Sequence, residues 1–267
     1  MQLLNYNFFI NAIIAAILSS LCCGIIGTYI VSRRIVFISG GITHASFGGI
    51  GIAYYLGMNP VVGAGIFGVL TAWAIEYLSA GTNIRKDSAI AILWSFGMAI
   101  GIIFIYITPG YTPDLMSYLF GSILTVTSTD ILMMLVLATI IIIFFILFYP
   151  MILYLSFDED FARTHKAPVH ILKYFLITLV ALTVVINIRV VGIILVLSLV
   201  TIPQATAGLF SKNFKHIIFL SILFAFIGSI SGLFVSYYLN IPSGATIIFC
   251  LVLIYGFLRL IKSLFRF

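Results

Sequence analysis

Apolar stretches bounded by polar, Gly or Pro punctuation recur along the chain near residues 8–31, 36–57, 60–80, 88–108, 129–155, 171–187, 190–210, 216–239 and 244–262. Several of them approach the ~20 residues that a helix needs to cross a ~30 Å hydrocarbon core. The pattern predicts an all-α fold, a polytopic membrane helix bundle of about nine transmembrane helices, within a range of eight to ten. Two places set that range. Only Asn187-Ile188-Arg189 separates 171–187 from 190–210, and 109–128 has room for a short extracellular or re-entrant helix. No period of 20–50 residues repeats and the loops are short, so residues 1–267 read as a single transmembrane domain. Met1 to Asn7 carries no basic residue and no small-residue cleavage site, and the first stretch is read as a retained helix rather than a signal peptide.

Charge supports this reading. Only 7% of residues are charged against 63% hydrophobic, and 13 Lys+Arg face 7 Asp+Glu for a formal net charge of +6. In a soluble chain that excess would suggest nucleic acid. Here Arg33/Arg34, Arg85/Lys86, Arg163/Lys166/Lys173, Lys212/Lys215 and Arg259/Lys262/Arg266 fall in every second gap, whereas 57–60, 109–128 and 239–243 contain no Lys or Arg. With nine crossings and the bias of Lys and Arg toward cytoplasmic loops, the N-terminus lies outside and the C-terminus in the cytoplasm. Arg189 is the exception. Cys22, Cys23 and Cys250 lie in apolar stretches without metal-ligand or disulfide spacing and read as packing residues.

Candidate chemistry is sparse. Asp87, Asp158, Glu159 and Asp160 fall in loops and Glu76 near a helix end, where they read as solvated. There is no HExxH, GxSxG or phosphate-cradling GxxxxGK[ST] pattern, so an enzymatic role is not expected of this chain, and a process driven by ATP would need a second chain to hydrolyse it. The unusual stretch is Ser39 to Gly51, which sets His44 among five glycines in a membrane helix. An ionisable residue at such depth faces a partner or water. Its position about ten residues past Arg34, or roughly 15 Å of helix rise, places it near the bilayer middle. Two readings stand side by side: a packing histidine bonded to a carbonyl or hydroxyl, and a contact for a passing solute or metal. Pro203 interrupts another apolar stretch and frees a backbone carbonyl, which Thr201, Gln204 or Thr206 can satisfy unless they face a pore. Residues 156–168 form the longest charged loop, with acids first and bases after, as in a short helix starting near Asp158. It reads as a docking helix or as a solvated connector. Thr127 to Asp130 supplies capping groups for a helix start, and Asn240 to Thr246 reads as a turn and helix start.

Taken in order, Arg33-Arg34-Ile35-Val36-Phe37 leading to His44-Ala45-Ser46, Tyr118 to Leu124, Phe157-Asp158 to Ala162, Val191 to Val196, Ile202-Pro203 to Ala207 and Pro242 to Ala245 resemble the membrane permease subunits of ABC importers for zinc, manganese or iron, the ABC-3 family. The resemblance covers most of the chain. It implies a multi-pass subunit of the bacterial plasma membrane that binds no cofactor of its own and passes a metal ion by alternating access. It also implies three partners: a second permease copy, a cytoplasmic pair of ATPases and an extracytoplasmic metal-binding protein. By this analogy His44 lines the metal path with Gly40, Gly41, Thr43 and Gln204 beside it. The segment at about 157–167, with Asp158, Glu159, Ala162 and Arg163, would couple to the ATPase. Loop position suggests that the residues around Tyr111, Pro113 and Asp114 receive the binding protein.

Two positions depart from the family pattern. Members often carry an aspartate one turn before the histidine, where both side chains can face one cation, and here that position is Gly40. The coupling segment often has a glycine where this chain has Lys166. A permease for a metal chelate or cofactor, of siderophore or corrinoid type, is the first alternative. A secondary transporter coupled to ions is the second, although Asp130 is its one candidate membrane carboxylate.

Overall fold

The computed structural model describes residues 6–81, 84–109, 123–165 and 168–265. Tyr111, Pro113, Asp114 and Lys166, and the segment from Tyr118 to Ser122, lie outside the described residues. Among the described residues twelve α-helices follow one another: α1 Asn7–Ser32, α2 Val36–Tyr55, α3 Pro60–Gly81, α4 Lys86–Ile107, α5 Ser128–Leu147, α6 Tyr149–Phe157, α7 Glu159–Thr164, α8 Val169–Val191, α9 Ile193–Leu199, α10 Ile202–Ala207, α11 Phe214–Leu239 and α12 Ser243–Phe265.

Among the described residues eight of these are long and apolar enough to cross a membrane, within the expected range of eight to ten and one fewer than the nine apolar stretches. The difference lies in the stretch at 190–210. Arg189 belongs to the last turn of α8 and does not separate two spans, and the chain then breaks at Gly192, which takes φ 82°. It breaks again at Val200-Thr201, leaving the short helices α9 and α10. This broken pair still carries the chain from one face of the bundle to the other. Arg189 meets Asp130 at the start of α5, whereas Phe214 meets Phe157 and Lys215 lies 4.7 Å above the Tyr149 ring, beyond the end of α5. The stretch at 129–155 is divided as well, because Pro150 opens α6 after α5 has ended.

Contacts define the two faces. Asn11 donates to the Val126 carbonyl and Phe9 packs edge-on to Tyr237, on the face that holds Asp130. Arg33, Lys86, Glu159, Lys173 and Lys215 gather on the other face, where Lys262 donates to the Leu209 carbonyl. The alternation of basic gaps in the sequence is therefore a real segregation of charge in space.

Helix α2 is the most enclosed span, and α4 and α12 are among the least. In lipid, where apolar side chains gain nothing by leaving the solvent, helices associate through close van der Waals contact, and small residues permit it. Gly97 of α4 lies so close to α2 that a Cβ there would come within 2.5 Å of the Ala45 Cα and carbonyl oxygen. Gly49 meets Gly63 of α3 in the same way. Helix α2 is thus clamped backbone to backbone on two sides. On α1, Ser19 donates to the Asn187 side chain, whose Nδ2 donates to Thr183 O at 2.7 Å, so the buried Ser19 hydroxyl and Asn187 amide are both engaged between α1 and α8.

Candidate functional site

His44 lies eight residues into α2, about 12 Å along its axis. Its imidazole stacks flat on the Trp94 indole of α4, with ring centroids 4.2 Å apart and planes within 5°. Nδ1 is enclosed and has no hydrogen-bond partner among the described residues. That removes the simplest form of the packing reading, in which the ring is tied to a carbonyl or hydroxyl through this nitrogen. The neighbouring hydroxyls are already engaged within α2: Thr43 donates to Ser39 O and Ser46 to Thr43 O, each at 2.6 Å.

The other residues singled out near His44 divide by direction. A Cβ on Gly40 would meet Trp94 at 3.9 Å and Leu197 of α9 at 3.6 Å, which is ordinary contact, so Gly40 faces the same indole as His44 and leaves space beside it. A Cβ on Gly41 would come within 2.6 Å of Ile90, so this glycine serves the α2–α4 packing. Thr43 is fully buried. Gln204 is buried on α10, away from that stack: its Nε2 donates to Cys23 O of α1 at 2.8 Å and to Leu199 O at 3.3 Å. The second bond repairs the break, since Pro203 has no N–H to offer the Leu199 carbonyl one turn earlier. Among the described residues no group of three or more His, Cys, Asp and Glu side chains converges, so His44 is a lone imidazole within one chain.

A second cluster occupies the basic face. Asp158 caps α7, its Oδ1 accepting from Asp160 N at 2.9 Å and Phe161 N at 3.1 Å, as the order of acids and bases in this loop suggested. Ala162 is buried, and the exposed Arg163 pairs with Glu159 at 3.0 Å. Glu159 is not a solvated acid. Its Oε2 lies 3.2 Å from Lys173 Nζ of α8 and 3.3 Å from Arg33, which also donates to Leu155 O at 2.8 Å. Burial raises the Glu159 carboxyl, but Lys173, Arg163 and Arg33 outweigh it and hold the group below the usual glutamate range.

Glu76, also expected to be solvated, is 3% exposed. Its two oxygens lie 2.6 Å from Lys173 and 2.8 Å from Lys86, so burial is offset by two ammonium groups. Sequence reasoning missed this pair because lysine and glutamate near helix ends are ordinarily wet. The one local signal was an acid set a turn inside the end of an apolar helix. Nothing local marked Trp94, since aromatic residues are common on lipid-facing helices.

Long apolar helices, a broken crossing, an imidazole midway along α2 and a charged cluster on one face define a multi-pass membrane protein. The chain belongs to the ABC 3 transport family, whose profile matches residues 5–262. It is 36% identical over 247 residues to the manganese transport system membrane protein MntC of Halalkalibacterium halodurans, an alignment covering 92% of this chain and 85% of that one. An uncharacterized membrane protein of Synechocystis sp. is 42% identical, covering 92% and 88%. Among solved structures, PsaBC from Streptococcus pneumoniae in complex with a Fab superposes with a TM-score of 0.85 at 33% identity, covering 96% of this chain and 92% of that chain.

Proposed function

We propose that this chain is the permease subunit of an ATP-driven importer for a divalent transition metal, manganese, zinc or iron, in the plasma membrane. The observation that carries the reading is the unpartnered His44 nitrogen at mid-depth, in a family whose named members include manganese transport proteins. Imidazole binds such cations, and one ligand per chain suits a path that must release its cargo as well as accept it. Two copies facing each other across the path would supply two imidazoles. The lysine- and arginine-rich face lies in the cytoplasm and the N-terminus outside.

A separate ATPase pair docks on α7 and the adjoining end of α6, where Phe161 and Phe157 are exposed near Arg163. An extracytoplasmic binding protein delivers the ion to the opposite face. Nucleotide-driven closure of the ATPases then shifts access to His44 from one side of the membrane to the other.

The test is uptake of radiolabelled manganese, zinc and iron into proteoliposomes holding the permease, its ATPase and its binding protein. His44→Ala is expected to reduce uptake at least tenfold, and unchanged uptake would overturn the site. Gly40→Asp, for which the space beside Trp94 exists, is expected to tighten metal retention and alter selectivity among the three ions. Transport of a metal chelate in place of the free ion would favour the chelate-permease reading.

A further inference from the structure

We propose that Glu76 is the positioning residue that links the ATPase-docking helix to the helix carrying Trp94. The proposal rests on the importer reading above. Starting from α7, Glu159 reaches Lys173 of α8 at 3.2 Å, Lys173 reaches Glu76 of α3 at 2.6 Å, and Glu76 reaches Lys86 at 2.8 Å. Lys86 is the first residue of α4, and Trp94 lies eight residues further along, about 12 Å of continuous helix. A displacement of α7 is passed to the start of α4 through charged contacts, and α4 moves the indole against which His44 is stacked.

Glu159 has a second arm. Its bond to Arg33 at 3.3 Å reaches the turn that opens α2, the helix bearing His44. One carboxylate on the docking helix therefore addresses both partners of the stack, directly toward α2 and through Lys173 and Glu76 toward α4. Stability is a weak reason for such a buried cluster, because packed apolar side chains hold a core as well as buried ions do. Discrete ionic pairings suit an element that moves between two arrangements, since each pairing is either made or broken.

The experiment reads coupling and fold separately. Permease, ATPase and binding protein are reconstituted with Glu76→Gln, Glu76→Asp or Lys86→Gln, and metal uptake and ATP hydrolysis are measured together. Co-purification of the ATPase and the melting temperature report the fold. Glu76→Gln is expected to assemble and to hydrolyse ATP within about twofold of wild type, with uptake per ATP at least tenfold lower, and Glu76→Asp is expected to recover part of the loss. Lys86→Gln, changed at the wetter end of the pair, is expected to uncouple in the same sense if Glu76→Gln fails to assemble. An assembled Glu76→Gln or Lys86→Gln complex with unchanged uptake per ATP would overturn the proposal. Failure of the wild-type complex to take up metal would instead strike the importer reading on which it rests.

Discussion

Arg189 Nε lies 2.7 Å from Asp130 Oδ1, tying the last turn of α8 to the first turn of α5. The other Asp130 oxygen accepts from Thr127 N at 3.0 Å and Thr127 Oγ1 at 2.6 Å, completing a capping box with the Thr127 hydroxyl. The pair explains the basic residue that broke the charge alternation: on a face otherwise poor in Lys and Arg, Arg189 is neutralised where it stands. It also commits to a structural ion pair the carboxylate that the sequence offered to ion-coupled transport. Asp130→Ala removes the cap and the ion pair together. It is expected to destabilise the permease by about 1–3 kcal/mol, a figure held down because Arg189 keeps contact with water. Thermal unfolding in nanodiscs checks this, and an unchanged midpoint would count against it. The double variant Asp130→Asn with Arg189→Met is expected to lose less than the sum of the two single changes.

The approach of α4 to α2 gives a sharper contrast. At Gly97 the atoms that a new methyl would strike belong to the Ala45 backbone and cannot swing aside, so Gly97→Ala is expected to cost roughly 1–3 kcal/mol and to lower uptake by shifting Trp94. At Gly65 nothing lies within 4 Å of the added Cβ, and Gly65→Ala is expected to be neutral or slightly stabilising. Melting temperatures of the two variants, measured side by side, decide it. Equal effects would show that helix approach is not the governing term.

Acid should loosen the cluster on the basic face. The Glu159 carboxyl is held below its unfolded value, about 4.3, by Lys173, Arg163 and Arg33 acting against burial. The stabilisation is therefore complete above the unfolded value and disappears as pH falls through the lower folded value. Melting temperature is expected to be flat for this contribution from pH 7 to about 5 and to drop below that. Glu159→Gln is expected to lower the neutral-pH melting temperature and to flatten the acid slope. A variant with the wild-type slope would exclude Glu159 as its source.

Features governed by local chemistry were legible in the linear chain. Apolar length placed the spans to within a few residues except at 129–155 and 190–210, the acid-first order of residues 158–163 announced α7 with Asp158 at its start, and Thr127 to Asp130 announced the cap of α5. Gln204 was marked as a group able to satisfy the carbonyl freed by Pro203, and it does so. The depth of His44 followed from counting residues along a helix. The broken crossing was harder to read, because 190–210 is apolar enough for a span and only the backbone at Gly192 and Thr201 divides it.

By itself the sequence determined that this is a helical membrane protein, which face of it is basic, and that one imidazole lies deep in the bundle, because hydrophobic length and charge bias act on each segment separately. Tertiary structure alone decided what that imidazole faces and how the charges are spent. Trp94 stacks on His44 only because glycines let α4 close on α2, and Glu76, Lys86, Lys173, Glu159 and Arg33 form one network only because four helices and the turn before α2 meet at one face. Such contacts join residues up to 126 positions apart, and no local period or propensity carries that information.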